Sequence, residues 1–231
     1  MGRILLKLSG EALGGEKKIG FDEKTVLSVA KQIKTVADEG TGVGIVIGGG
    51  NFWRGRSSES MDRSRADQIG MLATVMNCIY VSEMVRSTGK MTNILTPFEC
   101  GSFTKLYSKD RAEKYFSKGH IVFFAGGTGH PFFSTDTATV LRAVEIGADE
   151  ILLAKAIDGV YDADPATHPE AKRYESLSIE EVIEKKLQVV DMAASILAME
   201  NRMPLKVFAL QEEESIVRAV RGDFNGTVVT A

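Results

Sequence analysis

Residues 43–51 read Val-Gly-Ile-Val-Ile-Gly-Gly-Gly-Asn, a short apolar run that ends in three consecutive glycines. The run has the length of a buried β-strand, and glycine lets the backbone that follows approach an anion closely. Two similar runs, residues 4–6 and 121–124, lie shortly before Ser9-Gly10 and the turn Gly126-Gly127-Thr128-Gly129. Three glycine turns at strand ends predict a sheet edge that holds a polyphosphate.

Stretches with helical spacing separate these runs. Between Asp22 and Glu39, and again between Ala66 and Val85, apolar residues recur on one stripe; the second stripe is Ile69, Leu72, Val75, Met76 and Ile79. Residues 151–153 and 205–208 read as two further strands. Strands that alternate with helices predict an α/β fold, a three-layer αβα sandwich with a central, mostly parallel sheet.

Helix boundaries and domain limits can also be predicted. Ser178 and Glu181 have the spacing of a capping box, while glycines mark three predicted helix ends, at Gly89, Gly147 and Gly222. No repeat or linker divides the chain, so we expect one domain over residues 1–231.

Composition excludes several classes of protein. The chain has 231 residues, 44% hydrophobic and 26% charged, which is typical of a globular protein. Its net charge of -3 offers no cationic excess to a nucleic acid, so we expect none as the primary partner. Cys78, Cys100 and the histidines lack metal-ligand spacing, which favours a reduced cytoplasmic compartment and disfavours zinc. No apolar run approaches the roughly 20 residues that cross a bilayer.

Two cations beside the glycine turns are candidates to stabilise a transferring phosphoryl group. Lys7 lies in the first apolar run, where an ammonium could neutralise charge on phosphate oxygens; the alternative is a solvated lysine on an edge strand. Arg54 follows the second turn and could bind phosphate through two hydrogen bonds, or could be solvated.

Carboxylates follow the same pattern. Asp136 falls at a predicted helix start, where it would interact with the helix dipole; its functional alternatives are to hold Mg²⁺ or to orient Lys7. Asp67, early in a predicted helix, is either a helix-start carboxylate or an acceptor for a ribose hydroxyl. Residues 158–165 read as a loop, or as a wall for a nucleoside if the phosphate site exists.

The motifs together resemble those of the bacterial UMP kinases, a family within the amino-acid-kinase superfamily. The resemblance spans nearly the whole chain and rests on residues 7–13 (Lys-Leu-Ser-Gly-Glu-Ala-Leu), 46–55, 67–77, 127–136, 158–161 and 163–165. The segment Gly-Met-Leu-Ala-Thr-Val-Met-Asn at 70–77 is similar to UMP kinases rather than to acetylglutamate, aspartate or carbamate kinases.

The resemblance implies a set of site residues. The catalytic residues would be Lys7, Arg54 and Asp136, with Asp136 also near a metal. ATP would contact Lys7, Leu8, Ser9, Gly10, Gly50, Arg54, Lys155, Tyr161 and Asp164. UMP would contact Gly49, Asp67, Thr128, Gly129, His130, Pro131, Phe132, Phe133, Ser134 and Thr135. An allosteric segment would comprise Gly15, Glu16, Lys17, Lys18, Ile19 and Gly20, which on sequence alone could equally be a solvated turn. The family usually has Asn or Thr at Lys155, and often Asn at His130.

The resemblance also implies a reaction and partners. ATP with Mg²⁺ would phosphorylate UMP directly to give UDP, without a covalent enzyme intermediate or a general base. The family implies a homohexamer, activation by GTP and inhibition by UTP.

Two other functions remain open on the sequence. Another small-molecule kinase of the superfamily, acting on a carboxylate or carbamate, would need a different acceptor loop at residues 128–135. A non-catalytic nucleotide-binding protein on the same fold would be expected to lack the Lys7 and Asp136 pair.

Overall fold

The computed structural model describes residues 2–53 and 61–231. The strands are β1 Arg3–Leu8, β2 Gly42–Ile47, β3 Thr92–Thr96, β4 Lys105–Leu106, β5 Ile121–Phe124, β6 Glu150–Lys155, β7 Ser176–Ser178, β8 Leu205–Ala209 and β9 Gly226–Thr230. The helices are α1 Gly10–Leu13, α2 Glu23–Asp38, α3 Arg63–Ser87, α4 Lys109–Phe116, α5 Thr135–Glu145, α6 Ile179–Glu184, α7 Met192–Glu200 and α8 Ser215–Arg221.

The strands form one nine-stranded sheet in the order β4-β3-β5-β2-β1-β6-β8-β9-β7. Neighbouring strands are parallel except β8 and β9, which are antiparallel. The five strands predicted from apolar runs are confirmed. β1 lies between β2 and β6, so Lys7 is on a central strand and the edge-strand alternative is wrong. The carboxyl ends of β5, β2, β1 and β6 meet at one edge of the sheet.

Two apolar layers cover the two faces of the sheet. Ile4, Leu6 and Leu8 of β1 pack in one cluster with α2, α3 and α8, while Leu5 faces the other cluster with α5, α6 and α7. Side chains alternate along a strand, so Lys7 shares the face of Leu5 and points toward α5. The predicted three-layer sandwich is confirmed. Each fully buried Leu or Ile contributes roughly 1.5–3 kcal/mol to its stability.

Local signals fix the helix ends where they were predicted. Asp22 caps α2 by accepting a hydrogen bond from the Thr25 amide at 2.8 Å. Ser178 and Glu181 form the capping box of α6. Gly222 ends α8 with a φ of 80°, a left-handed conformation that costs glycine little.

The predicted apolar stripe of α3 is only partly buried. Val75 is buried, but Ile69, Leu72, Met76 and Ile79 are exposed in the single chain, and small or polar residues such as Thr74 face inward. The spacing identifies an apolar stripe but cannot tell which side faces the sheet. By length and composition α3 could cross a membrane, yet half of its apolar window is buried within the fold. It packs against α2, β2 and β3.

Candidate functional site

A cleft of about 760 Å³ opens above the edge where β5, β2, β1 and β6 end. It is lined by predicted site residues from four separate segments, namely Gly49, Gly50, Asp67, Thr128, Phe133, Ser134, Thr135, Asp136 and Lys155. In parallel α/β sheets, ligands bind at this edge. Gly49 approaches α3 so closely that a Cβ atom would lie 3.0 Å from the Gly70 carbonyl oxygen.

Lys7 and Asp136 form an ion pair beside this cleft: Asp136 lines it, whereas Lys7 does not occur among its described lining residues. Lys7 Nζ lies 2.7 Å from Asp136 Oδ1, and the two side chains are only 13% and 21% exposed. Asp136 belongs to the first turn of α5, which Ser134 caps by accepting hydrogen bonds from the amides of Asp136 and Thr137. The structure thus brings together two residues that are 129 positions apart (136 − 7).

Lys155 places a second ammonium on the same face of the sheet. It ends β6, two residues beyond Leu153, which is in register with Lys7. Its Nζ donates a hydrogen bond to the Val189 carbonyl oxygen. Burial, reinforced by the charge of Lys7 and opposed by that of Asp136, lowers the pKa of Lys155 to about 8. The site is therefore cationic and sensitive to an approaching anion.

Asp67 connects α3 to the loop that follows β5. Its carboxylate accepts a hydrogen bond from the Phe132 amide at 2.8 Å and contacts Arg63 Nε at 2.9 Å. Asp62, not Asp67, caps the helix by accepting from the Arg65 amide. The helix-start alternative for Asp67 is therefore wrong, and its carboxylate faces the cleft.

The loop at residues 128–135 divides into two parts. Thr128, Phe133, Ser134 and Thr135 line the cleft. The described lining residues do not include the middle of the loop, namely Gly129, His130, Pro131 and Phe132. His130 is exposed and forms a turn with Thr128, and Phe132 has a positive φ of 73°.

Asp191 is a site residue that the sequence analysis missed. It accepts hydrogen bonds from the hydroxyls of Ser134 and Thr137 and caps α7 through the Ala194 amide at 2.9 Å. The only signal in the sequence was an aspartate before a helix. Thr74 was missed too: its Oγ1 accepts a hydrogen bond from the Gly126 amide at 2.8 Å.

A second cleft of about 380 Å³ adjoins the first and contains the other predicted ATP residues, Tyr161 and Asp164. Tyr161 donates to Asp158 Oδ1 at 2.8 Å, which raises the pKa of the phenol. Both clefts are lined by Lys155 and residues 186–189. The described part of the chain thus has two joined compartments with an ammonium between them.

Leu8, Ser9 and Gly10, which the resemblance assigns to ATP, do not occur among the described lining residues of either cleft. Leu8 is fully buried in the core, so only its backbone is available to a ligand. The Ser9 amide donates to the Ala154 carbonyl oxygen at 3.2 Å, and Gly10 begins α1. Arg54 lies outside the described residues.

The predicted allosteric segment lines a different cleft, of about 630 Å³. Residues 15–17 form a 3₁₀ turn, Lys17 and Lys18 are exposed, and Gly20 is half-buried. Among the described residues, this cleft shares no lining residue with the two clefts at the sheet edge. The segment therefore contributes to a cleft of its own.

Comparison with protein-family models matches residues 2–209 to the amino acid kinase family. The chain belongs to the amino acid kinase family. Within the solved structures, a UMP kinase of this fold from Bacillus anthracis is 37% identical and has a TM-score of 0.94, with 99% of this chain and 95% of that chain covered. A UMP kinase from Ureaplasma parvum is 32% identical at the same TM-score, with coverage of 100% and 99%.

A more distant match is the uridylate kinase of Archaeoglobus fulgidus, at 26% identity and a TM-score of 0.75, with 98% of this chain and 99% of that chain covered. The amino-acid-kinase fold predicted from the sequence is confirmed by these similarities.

Lys155 should make the stability of the protein depend on pH. Below about pH 8 its ammonium is charged in the folded and the unfolded chain, and burial of that charge lowers the free energy of unfolding. Between about pH 8 and the ordinary lysine value of 10.5, the folded chain loses the proton first, so this penalty disappears as the pH rises.

Denaturant unfolding at pH 7.5, 8.5 and 9.5 measures this effect. The wild type should gain stability over this range relative to Lys155→Met and Lys155→Arg, because neither replacement titrates there. An equal pH dependence in all three proteins would contradict the assignment.

Proposed function

We propose that the protein is a UMP kinase that transfers the γ-phosphoryl group of ATP to UMP, giving UDP and ADP. The observation that carries this proposal is the pair of joined clefts, with the Lys7–Asp136 ion pair and Lys155 close to their junction. The UMP kinases from Bacillus anthracis and Ureaplasma parvum, which match over nearly their full length, support it.

The two clefts divide between the substrates. UMP occupies the larger cleft, where Asp67, Thr128 and residues 133–135 form one wall and Trp53 adds an aromatic side chain. ATP occupies the smaller cleft beside Tyr161 and Asp164, with its phosphates directed toward Lys155 and the glycine turns. In a single domain, the N-terminal part then contributes most UMP contacts and the C-terminal part most ATP contacts.

Catalysis follows from charge and position. The phosphate of UMP is already ionised near neutral pH, since its second pKa is about 6, so no general base is needed. The protein has to align two polyanions that repel each other and stabilise charge on the transferring group. Lys7 and Lys155 supply positive charge, Arg54 is the third predicted cation, and Asp136 orients Lys7. Backbone amides of the glycine turns complete the phosphate site.

The residues present fit Mg²⁺ bound together with ATP. Mg²⁺ is usually held by one or two carboxylates and substrate phosphates rather than by a cage of protein ligands. The described residues contain no cluster of three or more His, Cys, Asp or Glu with metal-binding geometry, and Asp136 is the predicted carboxylate in the cleft. The ion would neutralise phosphate charge when bound.

The remaining expectations concern regulation, assembly and location. GTP activates through residues 15–20, whose cleft contains Lys17 and Lys18, and UTP inhibits by competing for the uridine site. The exposed apolar stripe of α3, formed by Ile69, Leu72, Met76 and Ile79, favours burial between subunits of a homohexamer. The enzyme acts in the cytoplasm on ATP and UMP, with neither nucleic acid nor membrane as a partner.

A coupled assay for ADP release tests the function. The wild type should be active with UMP, weaker with CMP and dUMP, and inactive with acetylglutamate; a preference for acetylglutamate would favour the carboxylate-kinase alternative.

Lys7→Ala should lower kcat by about 10²-fold or more, because its charge acts on the transition state. Lys206→Ala is the matched control, since Lys206 on β8 pairs with Glu150 at 2.7 Å away from the clefts.

Asp67→Asn should raise the KM for UMP about tenfold or more while the KM for ATP changes little, because it removes binding to one substrate. Asp62→Asn is the control: it lies one turn earlier on α3, where asparagine also caps well. Initial rates with each nucleotide varied measure both constants. Equal increases for UMP and ATP would show that Asp67 does not belong to the acceptor site.

Replacement of both Lys17 and Lys18 by alanine should blunt activation by GTP and leave the basal rate within about twofold. The two side chains are exposed and lie outside the clefts at the sheet edge, so only the effector response depends on them. Initial rates with and without GTP decide the matter. A full GTP response in the double variant would assign the effector site elsewhere.

A further inference from the structure

Two buried asparagines form a reciprocal amide pair beneath the glycine turns. Asn51 follows the β2 turn and Asn77 lies in the middle of α3; they are 2% and 0% exposed. Asn51 Nδ2 donates to Asn77 Oδ1 at 3.0 Å, and Asn77 Nδ2 donates to Asn51 Oδ1 at 2.7 Å. Buried side-chain amides are costly unless all of their donors find partners.

The other two donors of the pair reach backbone carbonyls of different segments. Asn77 Nδ2 donates to the Gly48 carbonyl oxygen at 2.6 Å, in the turn after β2. Asn51 Nδ2 donates to the Gly20 carbonyl oxygen at 2.8 Å, and the Gly20 amide donates back to the Asn51 carbonyl oxygen at 3.2 Å. All four N–H groups of the two side chains are therefore used, which fixes the geometry of a connected network.

The turn after β1 packs directly on the same pair. A Cβ atom at Gly10 would lie 2.4 Å from the Gly48 carbonyl oxygen, 2.5 Å from Asn51 Oδ1 and 3.2 Å from Asn77 Nδ2. Such distances are far below van der Waals contact, so only glycine permits this approach. The asparagine pair therefore sets the spacing between the β1 turn and the β2 turn.

The described residues that line the two clefts at the sheet edge include neither Asn51 nor Asn77. Gly49 and Gly50, which follow Gly48 in the chain, do line the larger cleft. A contribution of the pair to catalysis would thus act through the backbone of the turns and not by contact with a nucleotide.

We propose that Asn51 and Asn77 are positioning residues for phosphoryl transfer, and that they connect residues 15–20 to the glycine turns after β1 and β2. This inference rests on the proposed function. Rate depends steeply on alignment, since a displacement of about 1 Å can cost on the order of 10²-fold. This one network bonds the Gly48 carbonyl group and packs against Gly10, so its loss should displace both turns and be expressed mainly in kcat.

Three variants test the proposal. Asn77→Leu removes both donors at similar volume, and Asn77→Ser is the milder change that keeps one hydroxyl in case the first does not fold. Thr92→Val is the matched control: Thr92 and Ser82 form another buried hydrogen bond to α3, at 2.7 Å between hydroxyl oxygens, away from the glycine turns. Thermal unfolding, kcat, and KM for ATP and UMP are measured for each.

The asparagine variants should lose about tenfold or more in kcat, with smaller changes in KM, whereas Thr92→Val should lose comparable stability and keep kcat within about twofold. A folded Asn77→Ser with the kcat of Thr92→Val would overturn the positioning role. A merely structural pair would lower thermal stability in all three proteins without separating their turnover.

Hydrogen exchange supplies a readout that does not require activity. In Asn77→Ser, backbone amides at residues 15–20 and 48–51 should both exchange faster than in the wild type, while Thr92→Val leaves them unchanged. Unchanged exchange at residues 15–20 would overturn the proposed connection. If the wild type does not phosphorylate UMP, the proposed function fails in that arm alone, and the exchange data still decide whether the network joins the two segments.

Discussion

The register of the central parallel strands is the constraint on which the site depends. β1 pairs with β2 on one side and β6 on the other, so that Leu8 lies level with Ile47 and Ala154. The chain leaves all three strands at nearly the same height, and β5 adds a fourth exit beside them. Because side chains alternate, the same register puts Lys7 and Lys155 on one face, where α5 presents Asp136. A slip of one residue would turn Lys7 into the opposite apolar layer.

The positive and negative charges around Lys7 at this edge of the sheet do not balance. Two ammonium groups share the neighbourhood of one carboxylate, and the lowered pKa of Lys155 reflects its burial and the nearby charge of Lys7. An excess of positive charge in a partly buried site is unfavourable in the empty protein, and a bound polyphosphate relieves it. The contact of Lys155 with the Val189 carbonyl oxygen links this charge to residues 186–189, which line both clefts.

The central strands of this fold could be predicted from the sequence, whereas the two strands at the edges of the sheet, β4 and β7, could not. Residues 43–47 and 121–124 are continuous apolar runs because parallel strands are buried on both faces, and such runs stand out. β4 and β7 have only two and three residues, too few to show a pattern, and β7 pairs with β9, which lies about fifty residues later in the chain. The spacing of α3 identified an apolar stripe but not its surroundings: Val75 is buried, whereas Ile69, Leu72, Met76 and Ile79 are exposed in the single chain.

The candidate site was also predictable only in part. Lys7 and Asp136 were predictable from glycine turns and a helix start, and the structure brings them together. Asp191 was not, since its partners Ser134 and Thr137 lie more than fifty residues away and nothing local marks it as more than a helix cap.

The antiparallel pairing of β8 and β9 near one end of the sheet has a consequence for folding order. β9 lies between β8 and β7, and within the described residues β7 pairs with no other strand. β7 leads directly into α6 and the segment at residues 186–189 that lines both clefts, so this wall of the clefts depends on a strand made about fifty residues later. Such a non-local pairing carries a loop-closure cost and forms late. A nascent chain that lacks residues 226–230 would contain every cleft residue described above. Its wall at residues 186–189 would nevertheless be incompletely supported, because β7 would have no β9 to pair with.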